Sequence, residues 1–294
     1  MQFEAHHLSA LAAVLRRGSF EVAAADLAVT PSAISQRIKA LEDRVGTSLI
    51  NRGSPCTGTK SGLRLAKHAE DVGLLETQLS RDLSLKGGTG PARLRIAVNA
   101  DSLATWFVAA MAQVEDVLFD LVIDDQDHSA EWLKRGEVSA AVTSLAKPVA
   151  GCDVIPLGSL RYIATASPQF MRHWFPDGVK ADGLSKAPCL TFNAKDALQR
   201  AWIGQHFDQR LSPPTHFVPS THAFVDAARA GMGWGMNPEP LVRGPIRNVR
   251  LVPLLRDAPL DVPLTWQVSR IMAPALEPMT EAVCAAADKV LIAK

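Results

Sequence analysis

Four polar side chains near the start of the chain, Ser32, Ser35, Gln36 and Lys39, follow the spacing of one helix face. A glutamine can bond adenine through both N6 and N7, and serine hydroxyls can bond base edges or phosphate oxygens. Presented together on the outside of a helix, these groups suit the major groove of DNA. The sequence therefore predicts a DNA-reading helix here, with an ordinary solvated helix face as the alternative.

Residues beside this face are predicted to position it or to contact phosphate. Thr30 supplies a hydroxyl cap, and Pro31 stands at the first helical position. Arg37 is a candidate phosphate contact, and Arg52 is expected to reach the minor groove or backbone unless it is a simple surface arginine. The predicted DNA-contacting set is Thr30, Pro31, Ser32, Ser35, Gln36, Arg37, Lys39 and Arg52.

The charge distribution supports a small nucleic-acid module within a nearly neutral chain. The 294 residues carry a net charge of +1. Residues 32–67 nevertheless contain seven basic and two acidic side chains. A short basic segment on a neutral chain is typical of a nucleic-acid-binding module attached to another domain.

Three short helices are predicted to hold the reading face, over residues 8–17, 20–27 and 31–45. Their apolar residues recur at helical spacing, and Gly18 and Gly46 are predicted to end the first and third. The turn-rich residues 48–58 predict a wing. An amphipathic helix over residues 60–85 follows, and its leucines need a partner, either a second copy or this chain's own downstream domain. Glycine-rich residues 87–91 predict a hinge.

Beyond the hinge, strand-like and helix-like segments alternate, which predicts an α/β domain.

The composition and motifs exclude several other classes of protein. No apolar stretch approaches the ~18–20 residues of a membrane span, and the N-terminus lacks signal-peptide features, so we expect a cytoplasmic protein without membrane attachment. The four cysteines are widely spaced, the histidines lack metal-binding spacing, and no catalytic serine motif occurs. The glycine-rich residues 231–235 do not connect a strand to a helix as nucleotide loops do. We therefore predict no metal, no cofactor and no enzymatic activity.

The segments at residues 20–27, 30–42, 49–52 and 59–62 together resemble the N-terminus of LysR-type transcriptional regulators. Length and α/β pattern extend the resemblance to the whole chain. Residues 98–106, 135–142, 220–225 and 264–267 resemble the regulators of basic amino-acid export, the ArgP/LysG type. Two departures occur: Ile50 replaces a common aromatic residue, and Ser139 stands where many members carry aspartate.

The resemblance implies a three-part architecture. Residues 1–58 would form the winged helix-turn-helix, residues 59–86 a linker helix for dimerisation, and residues 91–294 an effector domain like the periplasmic binding proteins. That domain would have two α/β lobes, lobe I over about 91–160 and 267–294 and lobe II over about 161–266. Two crossover strands near residues 160–165 and 261–266 would join the lobes, with a small ligand between them.

Ligands of open α/β sheets bind beyond the carboxyl ends of strands, and several polar residues are predicted to lie there. Ser102 and the helix start beside it, or Ser220 and Thr221, are candidates for a carboxylate, with simple helix capping as the alternative. Asp125 is a candidate for an ammonium or guanidinium group, or belongs to a solvated turn. The predicted effector-contacting set is Asp101, Ser102, Asp125, Thr143, Ser144, Asn193, Ser220 and Thr221.

The leading hypothesis is a sequence-specific regulator whose effector is lysine or arginine and whose target is an amino-acid exporter gene. Its expected partners are double-stranded promoter DNA, RNA polymerase, and further copies of itself in a dimer or dimer of dimers. A LysR-type regulator with another effector, and an architectural DNA-binding protein without an effector, are the alternatives. An enzyme is the least favoured hypothesis.

Overall fold

The computed structural model describes residues 3–84, 91–124, 129–145 and 147–293. Its first part contains the helices α1 (Ala5–Arg17), α2 (Phe20–Asp26) and α3 (Pro31–Val45). Their apolar faces meet in one core, where Leu11, Ile34 and Ile38 are fully buried. Gly18 and Gly46 end α1 and α3 in the left-handed conformation, as predicted.

A small wing follows the three helices. Strands β1 (Ile50–Asn51) and β2 (Thr57–Gly58) pair antiparallel. The long helix α4 (Lys60–Asp82) then begins at Thr59, whose hydroxyl accepts a hydrogen bond from the Gly62 amide at 3.1 Å. Gly62 lies against the backbone of Leu49, where an added Cβ would come within 1.9 Å of the carbonyl oxygen. Only glycine therefore lets α4 start this close to the wing.

Lobe I begins after the linker. Its strands are β3 (Ala92–Asn99), β4 (Val117–Asp124) and β5 (Ala140–Thr143). Its helices are α5 (Ala100–Ser102), α6 (Val108–Met111) and α7 (Ser129–Lys134). A π-helical segment, Leu103–Phe107, connects α5 to α6, so this stretch is not one regular α-helix. Trp106 and Phe107 lie in this π-helical turn, and both side chains are buried in the core.

Lobe II contains short elements that the sequence pattern mostly did not reveal. They are the strands β7 (Cys189–Thr191), β8 (Thr215–Phe217), β9 (Gly235–Pro238) and β10 (Val252–Pro253), and the helices α8 (Pro168–Trp174), α9 (Ala181–Lys186), α10 (Leu198–Phe207), α11 (Thr221–Arg229) and α12 (Glu239–Arg247). The last helix, α13 (Glu277–Ala287), follows a 3-10 turn at Pro274–Leu276.

Two long strands, β6 (Cys152–Ala166) and β11 (Leu260–Ser269), pass through both lobes as an antiparallel pair. In the described residues, seven strands form one sheet in the order β10-β6-β11-β5-β3-β4, with β9 also pairing with β6. Strands β3, β4 and β5 are parallel, so their carboxyl ends reach the same edge. The predicted two-lobed α/β fold, with a separate helical N-terminal part, is confirmed.

The core of the α/β region surrounds the crossover strands. Tyr162 on β6 and Trp266 on β11 are fully buried. Trp106 of the π turn is also core, as its apolar ring suggests. No helix in the described ranges has the length and apolarity that crossing a membrane requires.

Candidate DNA-binding surface and effector cleft

The exposed face of α3 carries the four side chains predicted to read DNA. Ser32, Ser35, Gln36 and Lys39 are all exposed, whereas the opposite face of the helix packs into the three-helix core. The helix therefore separates an apolar face that fixes its orientation from a polar face that can enter a groove. This geometry fits direct reading of base edges.

The first residues of α3 hold its N-terminus. The Thr30 hydroxyl accepts a hydrogen bond from the Ala33 amide at 3.2 Å, and Pro31 occupies the first turn. Arg37 is half-buried and lies close enough to His7 of α1 to affect it. Burial lowers the pKa of His7, followed by the neighbouring His6, with Arg37 adding to the effect. Arg37 is thus less exposed than Ser35 and Gln36 on the same helix.

The wing places Arg52 at its exposed edge. The guanidinium carbon lies 5.7 Å from the centre of the Phe20 ring, a cation–π distance. Asn51 ties the two wing strands together, because its amide donates to the Gly58 carbonyl at 3.3 Å. The guanidinium of Arg52 therefore packs against Phe20 at the start of α2 and stays exposed, so it can contact a phosphate or a minor groove.

A second polar site lies at the carboxyl edge of the parallel strands, where lobe I is hydrogen-bonded to lobe II, and we name this candidate effector site the cleft. Asp101 follows β3 and accepts two hydrogen bonds of 2.7 Å, from the Thr221 hydroxyl at the start of α11 and from the Tyr162 hydroxyl on β6. One carboxylate of lobe I is thus bonded to lobe II and to a crossover strand. Asp101 and Thr221, predicted separately, are brought into direct contact.

Ser102 is fully buried beside Asp101, and its hydroxyl has no hydrogen-bond partner within the described residues. Buried hydroxyls are normally satisfied, so an unpaired one at a cleft marks a place where a ligand can bond. Asn99, at the end of β3, lies beside Asp124, at the end of β4. The ends of β3 and β4 therefore lie side by side, and Ser102 follows the end of β3 by three residues.

Thr143 and Ser144 end β5 at the same edge. The Thr143 hydroxyl accepts a hydrogen bond from the Leu145 amide at 3.2 Å. The loop that follows is held by the buried amide of Gln267, which donates to the carbonyls of Leu145 and Lys147, each at 3.1 Å. Gln267 on β11 therefore fixes the loop behind Thr143 and Ser144.

Two other predicted residues serve local structure. The Asn193 side chain accepts hydrogen bonds from the amides of Lys195 and Asp196, at 2.8 and 3.2 Å, and shapes its own turn. The Ser220 hydroxyl accepts from the Ala223 amide at 3.5 Å and caps α11. The structure shows neither in contact with Asp101. Asp125 lies outside the described residues.

Sequence reasoning missed Tyr162 and Gln267. Tyr162 is the chain's single tyrosine and falls within a predicted crossover strand. Gln267 is a polar residue inside an otherwise apolar strand. A lone polar side chain within a buried strand needs partners, and that demand is the signal that could have drawn attention to both.

Within the described ranges, no group of three or more His, Cys, Asp or Glu side chains is arranged to hold a metal ion. The four cysteines are free thiols. Burial raises the pKa of the Cys189 thiol to about 12, and burial also raises the pKa of Cys152 and Cys284. These three thiols therefore resist forming the reactive thiolate.

Two family models match the chain. The model described as a bacterial regulatory helix-turn-helix protein of the lysR family matches residues 5–63. The model described as a LysR substrate binding domain matches residues 88–287. The first contains α1 to α3 and the wing, and the second contains the cleft around Asp101.

Curated relatives resemble the chain over nearly its full length. The chain is 45% identical over 287 residues to the HTH-type transcriptional regulator LysG of Mycobacterium tuberculosis, covering 98% of this chain and 94% of the relative. It is 38% identical over 288 residues to the lysine export transcriptional regulatory protein LysG of Corynebacterium glutamicum, covering 95% of this chain and 96% of the relative.

Solved structures agree in fold and sequence. The crystal structure of ArgP from Mycobacterium tuberculosis is 44% identical, covers 100% of both chains and has a TM-score of 0.80. Full-length LysG from Corynebacterium glutamicum with bound effector Arg is 35% identical, covers 98% of this chain and 99% of that one, and has a TM-score of 0.66. The chain therefore belongs to the LysR family of bacterial helix-turn-helix transcriptional regulators.

Proposed function

We propose that this regulator senses a basic amino acid, lysine or arginine, and controls an amino-acid exporter gene. One observation carries the proposal. The similar Corynebacterium LysG has bound arginine as its effector, and its curated description names lysine export. The α/β region of this chain has a cleft of suitable chemistry in the corresponding domain.

The cleft offers complementary groups for an amino acid with a cationic side chain. The buried, unpaired Ser102 hydroxyl and the start of α11 suit an α-carboxylate, because unpaired hydroxyls can donate to it and helix N-termini attract anions. The Asp101 carboxylate accepts two hydroxyl hydrogen bonds, and its negative charge favours a cationic ligand. Asp125 stays a candidate for the distal cation, and Thr143, Ser144 and Asn193 stay candidates for further contacts.

We place DNA binding in residues 1–58, the linker in 59–86 and effector binding in 91–294. Leu75 and Leu79 of α4 and Leu83, which caps its C-terminus, are exposed by 39%, 56% and 59%, and their spacing of four residues places them on one apolar stripe. A second copy of α4 is the simplest cover for that stripe, which favours a homodimer or a dimer of dimers. Such an assembly would present two α3 helices to promoter DNA and engage RNA polymerase in the cytoplasm, without catalysing a reaction.

Calorimetry on the full chain tests the effector. Arginine or lysine should release or absorb measurable heat, whereas alanine should not. Asp101→Asn and Asp125→Asn should each weaken binding at least about tenfold, the cost of a lost charged hydrogen bond of about 1.5–3 kcal/mol. DNA binding should persist in both variants. Asp182→Asn, at an exposed aspartate of lobe II, is the matched control.

Three other outcomes would contradict parts of this proposal. If neither basic amino acid gives heat and DNA binding is constitutive, the protein is an effector-independent architectural regulator. If another small molecule binds instead, the family assignment stands and the basic amino-acid proposal fails. Full arginine affinity in both aspartate variants would show that the cleft assignment is wrong.

A further inference from the structure

The linker helix α4 contacts lobe I at the edge opposite the cleft. Arg64 donates to the Gly136 carbonyl at 3.1 Å, just before β5. Near the end of α4, Arg81 donates to the Glu115 carbonyl at 2.9 Å, just before β4. The helix therefore lies across the amino ends of strands whose carboxyl ends form the cleft.

A buried charged cluster lies at the middle of this contact. Lys67 is only 7% exposed. Its ammonium group donates to the Ser139 hydroxyl at 2.8 Å and forms an ion pair with Asp71 one turn further along α4. The Ser139 hydroxyl in turn donates to the Asp71 carboxylate at 3.2 Å. A buried ammonium is stable only while it is paired, so the cluster fixes the helix at one position on lobe I.

Ser139 suits this position because a hydroxyl can accept from Lys67 and donate to Asp71 at the same time. An aspartate here would bring a second carboxylate beside Asp71 and could not donate to it. The hydroxyl thus completes the ion pair without adding charge. The contact among Lys67, Asp71 and Ser139 therefore explains why a serine suits position 139 better than the aspartate of many family members.

A short rigid strand connects this cluster to the cleft. Ser139 immediately precedes β5, whose residues are all buried, and Thr143 and Ser144 end it. Ser139 itself is held by backbone bonds, donating to Arg95 at 3.0 Å and accepting from Ser269 at 2.9 Å. At ~3.3 Å per residue, about 16 Å separate Ser139 from Ser144. We therefore expect a movement of the cleft edge to be transmitted along β5 to Ser139.

We propose that Lys67, Asp71 and Ser139 form the coupling joint through which effector binding repositions the linker helix. They are positioning residues that touch neither effector nor DNA. Lobe I moves as one body when the cleft binds its ligand, and the joint forces α4 to follow. The helix then changes the placement of the two α3 helices on DNA. This inference rests on the proposed function, since it assumes that a ligand acts at the cleft.

The test uses full-length protein and a duplex that the protein itself selects from a random pool, labelled at both ends for energy transfer. The dissociation constant and bend of the duplex are measured with and without arginine, and arginine affinity is measured separately. Ser139→Ala and Lys67→Met break the joint. Ser139→Thr restores the hydroxyl, and a groove of about 690 Å³ beside Ser139 can receive the extra methyl group. Ser80→Ala is the matched control, because that hydroxyl bonds only within α4, to the Glu76 carbonyl.

The joint predicts that Ser139→Ala and Lys67→Met reduce the effect of arginine on DNA affinity or bend at least about fivefold. Arginine affinity, and DNA affinity without arginine, should stay within about twofold of the unmodified protein. Ser139→Thr and Ser80→Ala should retain the full effect. An unchanged arginine effect in both joint variants overturns the proposal, as does a loss of arginine affinity, which would indicate a merely structural role.

Amide hydrogen exchange separates this inference from the effector proposal. Without ligand, residues 61–75 of α4 should exchange faster in Ser139→Ala than in Ser80→Ala, because the helix is released from lobe I. If the unmodified protein ignores arginine and lysine, the effector proposal fails, and this exchange measurement still tests whether Ser139 holds α4 on lobe I. Equal exchange in the two variants would contradict it.

Discussion

Gln36 and Ser35 project from the exposed side of α3, and Ile34 and Ile38 anchor the helix from the other side. This separation matters because base reading requires a polar side chain whose backbone cannot shift. The capping hydroxyl of Thr30 adds to that rigidity at the helix start. We therefore assign sequence discrimination to the side chains of the exposed face and support to the buried ones.

Replacing Gln36 by alanine should reduce affinity for the selected duplex by about 5- to 150-fold, because a bidentate base contact contributes about 1–3 kcal/mol of discrimination. Affinity for a scrambled duplex should change little. Fluorescence anisotropy at fixed salt measures both. Gln169→Ala, at an exposed glutamine of lobe II, is the control. If Gln36→Ala and Ser35→Ala both leave specific binding unchanged, α3 does not read sequence through this face.

Cys189 should be inert in the folded protein. Burial raises the pKa of its thiol to about 12, so almost no thiolate exists at pH 8. Iodoacetamide should alkylate Cys189 only after unfolding, whereas the half-buried Cys56 of the wing should react in the native state. Mass spectrometry of digested protein measures both. Equal native rates for the two thiols would contradict the burial argument.

Single residues were predictable where the pattern was local. The exposed face of α3 follows from helix periodicity over eight residues, and Asp101 follows from its place after a strand. The hydrogen-bond partners of Asp101 could not be predicted from the local pattern, because Tyr162 and Thr221 lie 61 and 120 positions away in sequence. The Ser220 hydroxyl caps α11, as local sequence suggests for a hydroxyl before a helix, and its contact with an effector stays a prediction.

At the scale of elements, α4 has two different faces. Lys67 and Leu74 are buried against the rest of the chain, while Leu75, Leu79 and Leu83 are exposed. Large apolar residues exposed in a row along one helix indicate a partner. The helix thus joins lobe I on one side and offers an apolar stripe on the other.

Leu79→Glu should weaken self-association at least about 100-fold. Each buried leucine contributes about 1.5–3 kcal/mol, and a two-fold assembly loses two of them. Sedimentation over a concentration series measures the dissociation constant. Ser80→Glu adds the same charge about 100° around the helix from Leu79 and should weaken self-association much less. If Leu79→Glu associates as the unmodified protein does, α4 is not the contact between copies.

Long periodic elements were predictable, and short ones were not. The three N-terminal helices and α4 lie within a few residues of their predicted bounds. Helices α8 to α12 have six to ten residues each, too few turns for periodicity to distinguish them from loops. The π turn at Leu103–Phe107 adds a residue per turn to position Trp106, which depends on tertiary packing rather than local sequence.

For the whole molecule, lobe I separates two functions. Its carboxyl edge carries Asp101 and Ser102 at the cleft, and its amino edge carries Ser139 against α4. A ligand that favours one arrangement of the lobes must, by thermodynamic linkage, change DNA affinity by the same factor by which DNA changes ligand affinity. The account therefore predicts a reciprocal effect between the two sites.

The most direct test is a titration of the selected, end-labelled duplex with the full chain, with and without saturating arginine. The account predicts at least about a fivefold change in DNA affinity, or a changed end-to-end distance, with arginine or lysine and none with alanine. Arginine affinity measured with and without duplex should change by the same factor. Identical isotherms and identical energy transfer under all conditions would contradict the central claim that this protein is a ligand-responsive regulator of DNA.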